Sequence, residues 1–399
     1  MNTNRKLENN LNLIRFYMFF GDPLFWGPVL ILSLQKLAHM SLAQIYTLEA
    51  VCTVFGLIVD IPTGALSDIV GRKKMLVTAQ IIFFISFFGF VFLEQPWHAW
   101  VSNLLWMIAL ALKSGTDKAL IQETCIALGK EEGYYRKFIG KNLGYKLFIA
   151  ALCAPVTSWL ASSDLRLPLY CSIPFLIIPL VCTFFFCEPP RQKREFTLRE
   201  NLNQMGRGIK YVLNDGRIIW ITMYTCVIST VSHIWFFTYN PYFEKVGMQI
   251  QDFGWVFFVL NLVAFISSYW GERVEKKIGY FGTMLILMPM MGIPLIFMGI
   301  FPIPIMAYCV VFQNVVRGMY APFVDNLTSK FLNDETRATA LSVQSSVVSS
   351  VGALSMWVFG LIIESHGLMN SLTLLGVVTI FTFIVLISFW FKLFDKNSR

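Results

Sequence analysis

Charge is scarce in this chain. Asp, Glu, Lys and Arg make up 14% of its 399 residues, where a soluble domain carries about 25%. Apolar residues reach 56% and aromatic ones 16%. A water-soluble core cannot absorb that much apolar surface, so the composition implies lipid as the solvent. Histidine is scarcer still: His39, His98, His233 and His366 stand far apart, and no paired-acid motif lies within the apolar runs. That argues against a membrane-embedded transferase, which needs clustered acids for a metal diphosphate or a histidine–acid motif. The eight cysteines are scattered singly with no C-x-x-C pair, so neither a disulfide framework nor a metal site is expected. No cofactor and no enzymatic activity are expected either.

What is present is a succession of long apolar runs. A spanning helix needs roughly 20 apolar residues, and about twelve such runs fit here. They cover roughly 12–37, 41–66, 74–93, 97–125, 139–161 and 168–187, then 218–243, 252–271, 280–300, 303–328, 338–363 and 370–393. All read as helices, because lipid admits only helices and closed barrels and these runs are too long for barrel strands. The first run carries Asp22-Pro23 in its middle and exceeds a signal-peptide core, so it reads as a span and not as a leader.

The formal net charge of +8 does not point to nucleic acid, because the cations cluster in alternate loops. Arg72, Lys73 and Lys74, then Lys130, Arg136 and Lys137, then Arg273, Lys276 and Lys277 fall on one side together with the basic termini; the other side receives Lys36, Arg166 and Lys245. The positive-inside rule then puts both termini in the cytoplasm. The expected organisation is a bundle over 1–187, a cytoplasmic linker over 188–217 and a second bundle over 218–399. Within the linker, Leu198, Leu202, Met205, Ile209 and Leu213 recur at helical spacing among Arg199, Arg207 and Lys210. Two readings stand there: an amphipathic helix on the inner membrane face, or a plain linker.

The halves carry a weak internal repeat. Asp68 and Glu272 correspond at a shift of 204 residues, and the same shift carries Lys113 onto Arg317. Duplicated halves are common in transporters, which bind at the repeat interface near the midplane.

The loop Gly64-x-x-x-Asp68-x-x-Gly71-Arg72-Lys73, between the second and third runs, resembles the signature of the major facilitator superfamily. It departs from the family at Ile69, where a basic residue is usual. The resemblance covers the whole chain and implies an all-α membrane protein of twelve helices in two pseudo-symmetric six-helix bundles. It also implies a gating role for the loop, with Asp68 capping a helix near Ala338 across the gap between halves, Gly71 permitting the turn and Arg72 meeting an acid at the end of span four, here Glu123. The competing reading is a solvated turn whose charges set topology.

Ala150-x-x-x-Ala154-Pro155-x-x-Ser158 resembles a span-five element of drug and proton antiporters, with each glycine replaced by a small residue; small residues packing a helix interface read equally well there. Ser114-Gly-Thr-Asp-Lys-Ala and Arg337-Ala-Thr-Ala-Leu-Ser are similar to poorly characterised bacterial members.

Charges inside the runs are the remaining candidates. Asp22 reads either as a proton-coupling acid facing a wet cavity or as a polar residue bridging the Pro23 kink. Glu49 is a second acid, nearer the outer interface. Lys113, Arg317 and Lys146 are cations able to converge on an anionic solute group; for Lys113 the alternative is pairing with Asp117, four residues on. His233, Asn240 and Asn314 are candidate cavity groups. The expectation is a monomeric carrier in a bacterial inner membrane that moves a small organic solute by alternating access, with proton-coupled efflux ahead of uptake of an anionic metabolite or siderophore. A transferase and a non-transporting receptor or scaffold are the readings from other classes.

Overall fold

We describe a computed structural model of the chain covering residues 3–131, 133–190, 206, 212–332 and 334–394, without the side chains of 3, 4, 64, 65, 68 and 334–339. No strand occurs among the described residues. The linker segment 197–213 lies outside them, save 206 and 212–213.

The first apolar run is not one helix. Helix α1 (Thr3–Phe19) ends before Gly21-Asp22-Pro23, and a single 3-10 turn at Gly27–Val29 leads into α2 (Leu30–Lys36). Proline removes a backbone donor and clashes with a continuing helix, which accounts for the break. One of the exposed backbone groups finds a side-chain partner: the Phe25 N–H donates to Ser172 Oγ at 3.2 Å, as hydrocarbon surroundings demand.

Helices α3 (Leu42–Val70) and α4 (Arg72–Val91) follow, then α5 (Pro96–Lys113), α6 (Thr116–Ala127), α7 (Tyr134–Ser163) and α8 (Leu167–Phe185). The N-terminus of α5 is closed by His98, whose Nδ1 accepts the Gln95 N–H at 3.2 Å. Helices α5 and α6 divide the fourth run at Ser114-Gly115, where Gly115 has φ +71°.

The second set is α9 (Gly216–Lys245), α10 (Ile250–Ile300), a 3-10 turn at Pro304–Cys309, α11 (Val310–Ser329), α12 (Asp334–His366) and α13 (Leu368–Phe394). Asp215 caps α9, accepting from Arg217 N at 2.8 Å. The Arg217 guanidinium bonds the same carboxyl and holds it below the usual carboxylate range. Runs eight and nine are two helical segments that part at Gly279, whose φ of 74° and ψ of 175° are not helical; α10 spans both, and the residues expected as a loop before Gly279 continue the first segment.

Among the described residues, eight helices or helix portions are long and apolar enough to cross a membrane. The remaining runs fall on broken or composite elements: α1 with α2, α5 with α6, and the 3-10 turn with α11, while α10 counts once for two runs. Transporters place helix breaks at their sites.

Contacts group the chain into two compact units. The first holds Met1–Met40, Cys52–Leu198 and Ile250–Phe258; the second holds Ser41–Val51, Arg199–Gln249 and Val259–Arg399. In the first unit one core joins Leu11, Ile14 and Tyr17 to Leu120, Phe138 and Phe186, and another joins Phe83, Phe87 and Leu176 to Trp26 and Trp106. Residues 20–26 connect these two layers. In the second unit α9 is central and contacts α11, α12 and α13. The start of α3 also belongs there, where Tyr46 Oη donates to Ile234 O at 3.0 Å.

Candidate functional site

In the first unit the two helix breaks gather the charges. Asp22 stands in the open link between α1 and α2, and Lys146, two-fifths of the way along α7, forms an ion pair with it. The Asp22 side chain remains 52% exposed and that of Lys146 30%, so the pair is not sealed in packing. Lys113, the last residue of α5, places its ammonium over the Tyr17 ring, 4.9 Å from the centroid, a cation–π contact. It also approaches Gly21, beside Asp22, and its charge acts on both Asp22 and Asp117. The Tyr17 hydroxyl is buried with no hydrogen-bond partner among the described residues. Desolvating such a group without a partner costs about 1–3 kcal/mol; a polar ligand or water in the site relieves that cost.

The alternative pairing of Lys113 with Asp117 does not form as an ion pair. The helix is broken at Ser114-Gly115, between the two residues, so four-residue spacing no longer puts them on one face. Lys146 is spoken for by Asp22. The Ser114 side chain, at the same break, stands near the Asp60 carboxyl of α3. Tyr17 and Asp60 are additions to the candidates from sequence; their signal was proximity to a helix break, Tyr17 standing one turn before Gly21.

The loop between α3 and α4 is tied to the same unit. Gly71 has φ +108°, a left-handed conformation that favours glycine. Arg72 Nη2 lies 3.2 Å from Glu123 Oε1, and its Nη1 donates to Ser67 Oγ at 2.5 Å. Ser67 in turn meets Thr116, the first residue of α6, at 3.2 Å. Glu188, just past α8, accepts the backbone N–H groups of Arg72 at 2.8 Å and Lys73 at 2.9 Å, placing a carboxylate on the positive N-terminus of α4. Sequence reading assigned Glu188 to the linker and missed it. Asp68 and Gly64 lack described side chains, and the Asp68 contact near Ala338 lies outside the described residues.

In the second unit Arg317 Nη1 donates to Asn314 Oδ1 at 3.5 Å. Asn314 Nδ2 donates to Tyr239 Oη at 3.1 Å and to Gln313 Oε1 at 2.9 Å, and the Tyr239 hydroxyl bonds the same Gln313 oxygen. Gln313, Asn314 and Tyr239 are each 2% exposed or less, so they form a buried network and not an open wall, while Arg317 at its edge is exposed; Asn240 is buried as well. Glu49 and His233 are brought together, Oε1 to Nε2 at 3.5 Å. Among the described residues neither Lys113 nor Arg317 has a carboxylate in ion-pair contact, and no three His, Cys, Asp or Glu side chains gather as a metal-ligand set.

A sequence model of the Major Facilitator Superfamily matches residues 11–310. An uncharacterized MFS-type transporter of Bacillus subtilis (strain 168), YxaM, is 22% identical over 355 residues, 86% of each chain. Among solved structures, a point mutant of the nucleoside transporter NupG superposes with a TM-score of 0.78 at 14% identity, over 95% of this chain and 99% of that one. A bacterial homologue of the human lysosomal transporter Spinster, inward-facing and unoccupied, gives 0.74 at 15% identity, over 98% and 97%.

Proposed function

Because the chain belongs to the Major Facilitator Superfamily and is a multi-pass secondary transporter, we propose that it couples proton movement to transport of a small anionic organic solute through the first unit's charge cluster. The observation that carries this reading is the Asp22–Lys146 pair, half open in the break between α1 and α2, with Lys113 beside it.

Protonation of Asp22 discharges its pair with Lys146. The Lys146 and Lys113 ammonium groups are then free to meet a carboxylate or phosphate on the solute, so proton and anion bind together. Loss of the proton restores the pair and expels the anion. Helix α6 carries Thr116 and Asp117 at one end and Glu123 towards the other, so a shift at the break reaches the Arg72 contact, and the α3–α4 loop acts as the gate.

Proton–anion co-binding favours uptake. Outward movement, the direction first expected, is the second reading. The Ala154-Pro155 element does not require it, since its backbone packs directly on Gly254, a close helix crossing of the kind small residues serve. The half-open Asp22 carboxylate still suits a cationic solute that competes with the proton. The protein acts as a monomer in a bacterial inner membrane with both termini cytoplasmic, following the Lys and Arg asymmetry.

Proteoliposomes with an imposed pH gradient test the reading. A panel of small carboxylates and phosphates, each paired with its neutral analogue, is first screened by thermal shift, since a ligand preferring the folded state raises the melting temperature. An anionic member should then accumulate on the side towards which protons flow. Movement of cationic solutes alone, against the proton flow, overturns it in favour of export.

A further inference from the structure

Away from the charge cluster, the first unit has a cleft of about 390 Å³ where α7 meets the start of α10, lined by Pro155, Val156, Trp159, Gln251, Asp252 and Trp255. The cleft is held open by a close crossing. A Cβ on Gly254 would collide with the Ala154 carbonyl oxygen and come within 2.6 Å of Pro155 Cα, so only glycine admits this backbone contact. Trp159 stands one turn past Pro155 on α7 and Trp255 directly follows Gly254 on α10, so the two tryptophans flank the crossing.

Both rings face outward: Trp159 is 67% exposed and Trp255 63%. They sit near helix ends, Trp159 four residues before the end of α7 at Ser163 and Trp255 five residues after the start of α10 at Ile250. At 1.5 Å per residue that is about 6–8 Å from each end, the headgroup depth at which membrane tryptophans collect. Asp252, in the first turn of α10, lines the same cleft and is in no ion pair among the described residues. The helix dipole accounts for an acid in that turn, but not for two aromatic walls beside it. Aromatic faces and a carboxylate both attract a cation and repel an anion.

We propose that this cleft binds the ammonium headgroup of a bilayer lipid, with Asp252 meeting the charge and Trp159 and Trp255 walling it. The occupant is a lipid and not a free amine because the cleft opens at the bilayer surface between exposed apolar rings. The inference is independent of the solute and of the direction of transport.

The test uses full-length purified protein titrated with phosphatidylethanolamine or phosphatidylglycerol, counting retained lipid by native mass spectrometry. Phosphatidylethanolamine should bind about three- to tenfold more tightly, and Asp252→Asn should remove that preference. Trp159→Leu should weaken it as well, and gives the answer by itself if Asp252→Asn does not fold. Equal retention of the two lipids, or an unchanged preference in a folded variant, overturns the proposal. Tetramethylammonium competing as well as the lipid also overturns it, making the cleft a site for a free amine.

Discussion

Lys146 in α7 is ion-paired with Asp22, which stands outside any helix in the link between α1 and α2. Two segments more than 120 residues apart in sequence thus meet at a break where a carboxylate has freedom to turn and water has access.

That pairing predicts non-additive stability. Asp22→Asn leaves the Lys146 charge alone, and Lys146→Gln leaves the Asp22 charge alone, whereas the double variant removes both. Each single change leaves one charge without its partner, whereas groups in direct contact couple. The double variant should therefore recover stability relative to the sum of the singles, with a coupling of about 0.5–3 kcal/mol. Unfolding of the four proteins in one detergent checks this.

Glu188 predicts a different loss. Its carboxylate serves two backbone donors at the start of α4, so Glu188→Ala should destabilise by about 0.5–2 kcal/mol, the usual cost of losing an N-terminal cap. Glu188→Gln keeps one acceptor and should cost less. Thermal unfolding ranks the three proteins, and transport should fall more steeply than stability if the loop is the gate.

Gly115 isolates backbone strain. Its φ of +71° is one L residues rarely adopt, and a Cβ there meets nothing within 4 Å. Gly115→Ala should therefore cost about 1–2 kcal/mol from conformation alone. Gly133 also has open space around it but a φ of −74°, so Gly133→Ala should be close to neutral. A paired melting experiment reads the difference.

Lys113 and Lys146 predict charge selectivity. Lys113→Gln and Lys146→Gln should each weaken binding of an anionic solute far more than of its neutral analogue, by about tenfold for a lost charge-assisted hydrogen bond. Equal losses for both solutes would assign these cations to structure. Binding isotherms for the two solutes on each variant supply the comparison.

The sequence carried the membrane architecture because lipid imposes a run length and the positive-inside bias marks alternate loops; both are local signals. The Arg72–Glu123 contact was also legible, since the loop motif names the cation and few acids lie at the right end of span four. Lys146 was counted as a free cation because spacing says nothing of which helices meet. Lys113 and Asp117 were read as neighbours on one helix face, and Ser114-Gly115 between them was not taken as a break. Glu188 was hidden in a Glu-Pro-Pro stretch that reads as linker, although an acid just past a span end is well placed to cap a neighbouring helix. The eighth and ninth runs do part, at Gly279, but the charges before it stay in helix, where Glu272 and Lys276 pair at helical spacing.

The central claim is that Asp22 carries the coupling proton. Proton flux and solute flux measured together in proteoliposomes, for the native chain and for Asp22→Asn, test it most directly. The account predicts that solute movement in the native protein carries protons in fixed ratio, and that Asp22→Asn loses both proton movement and gradient-driven accumulation while downhill exchange of solute persists. An Asp22→Asn protein that still concentrates solute under a pH gradient, with protons moving in the native ratio, would contradict it.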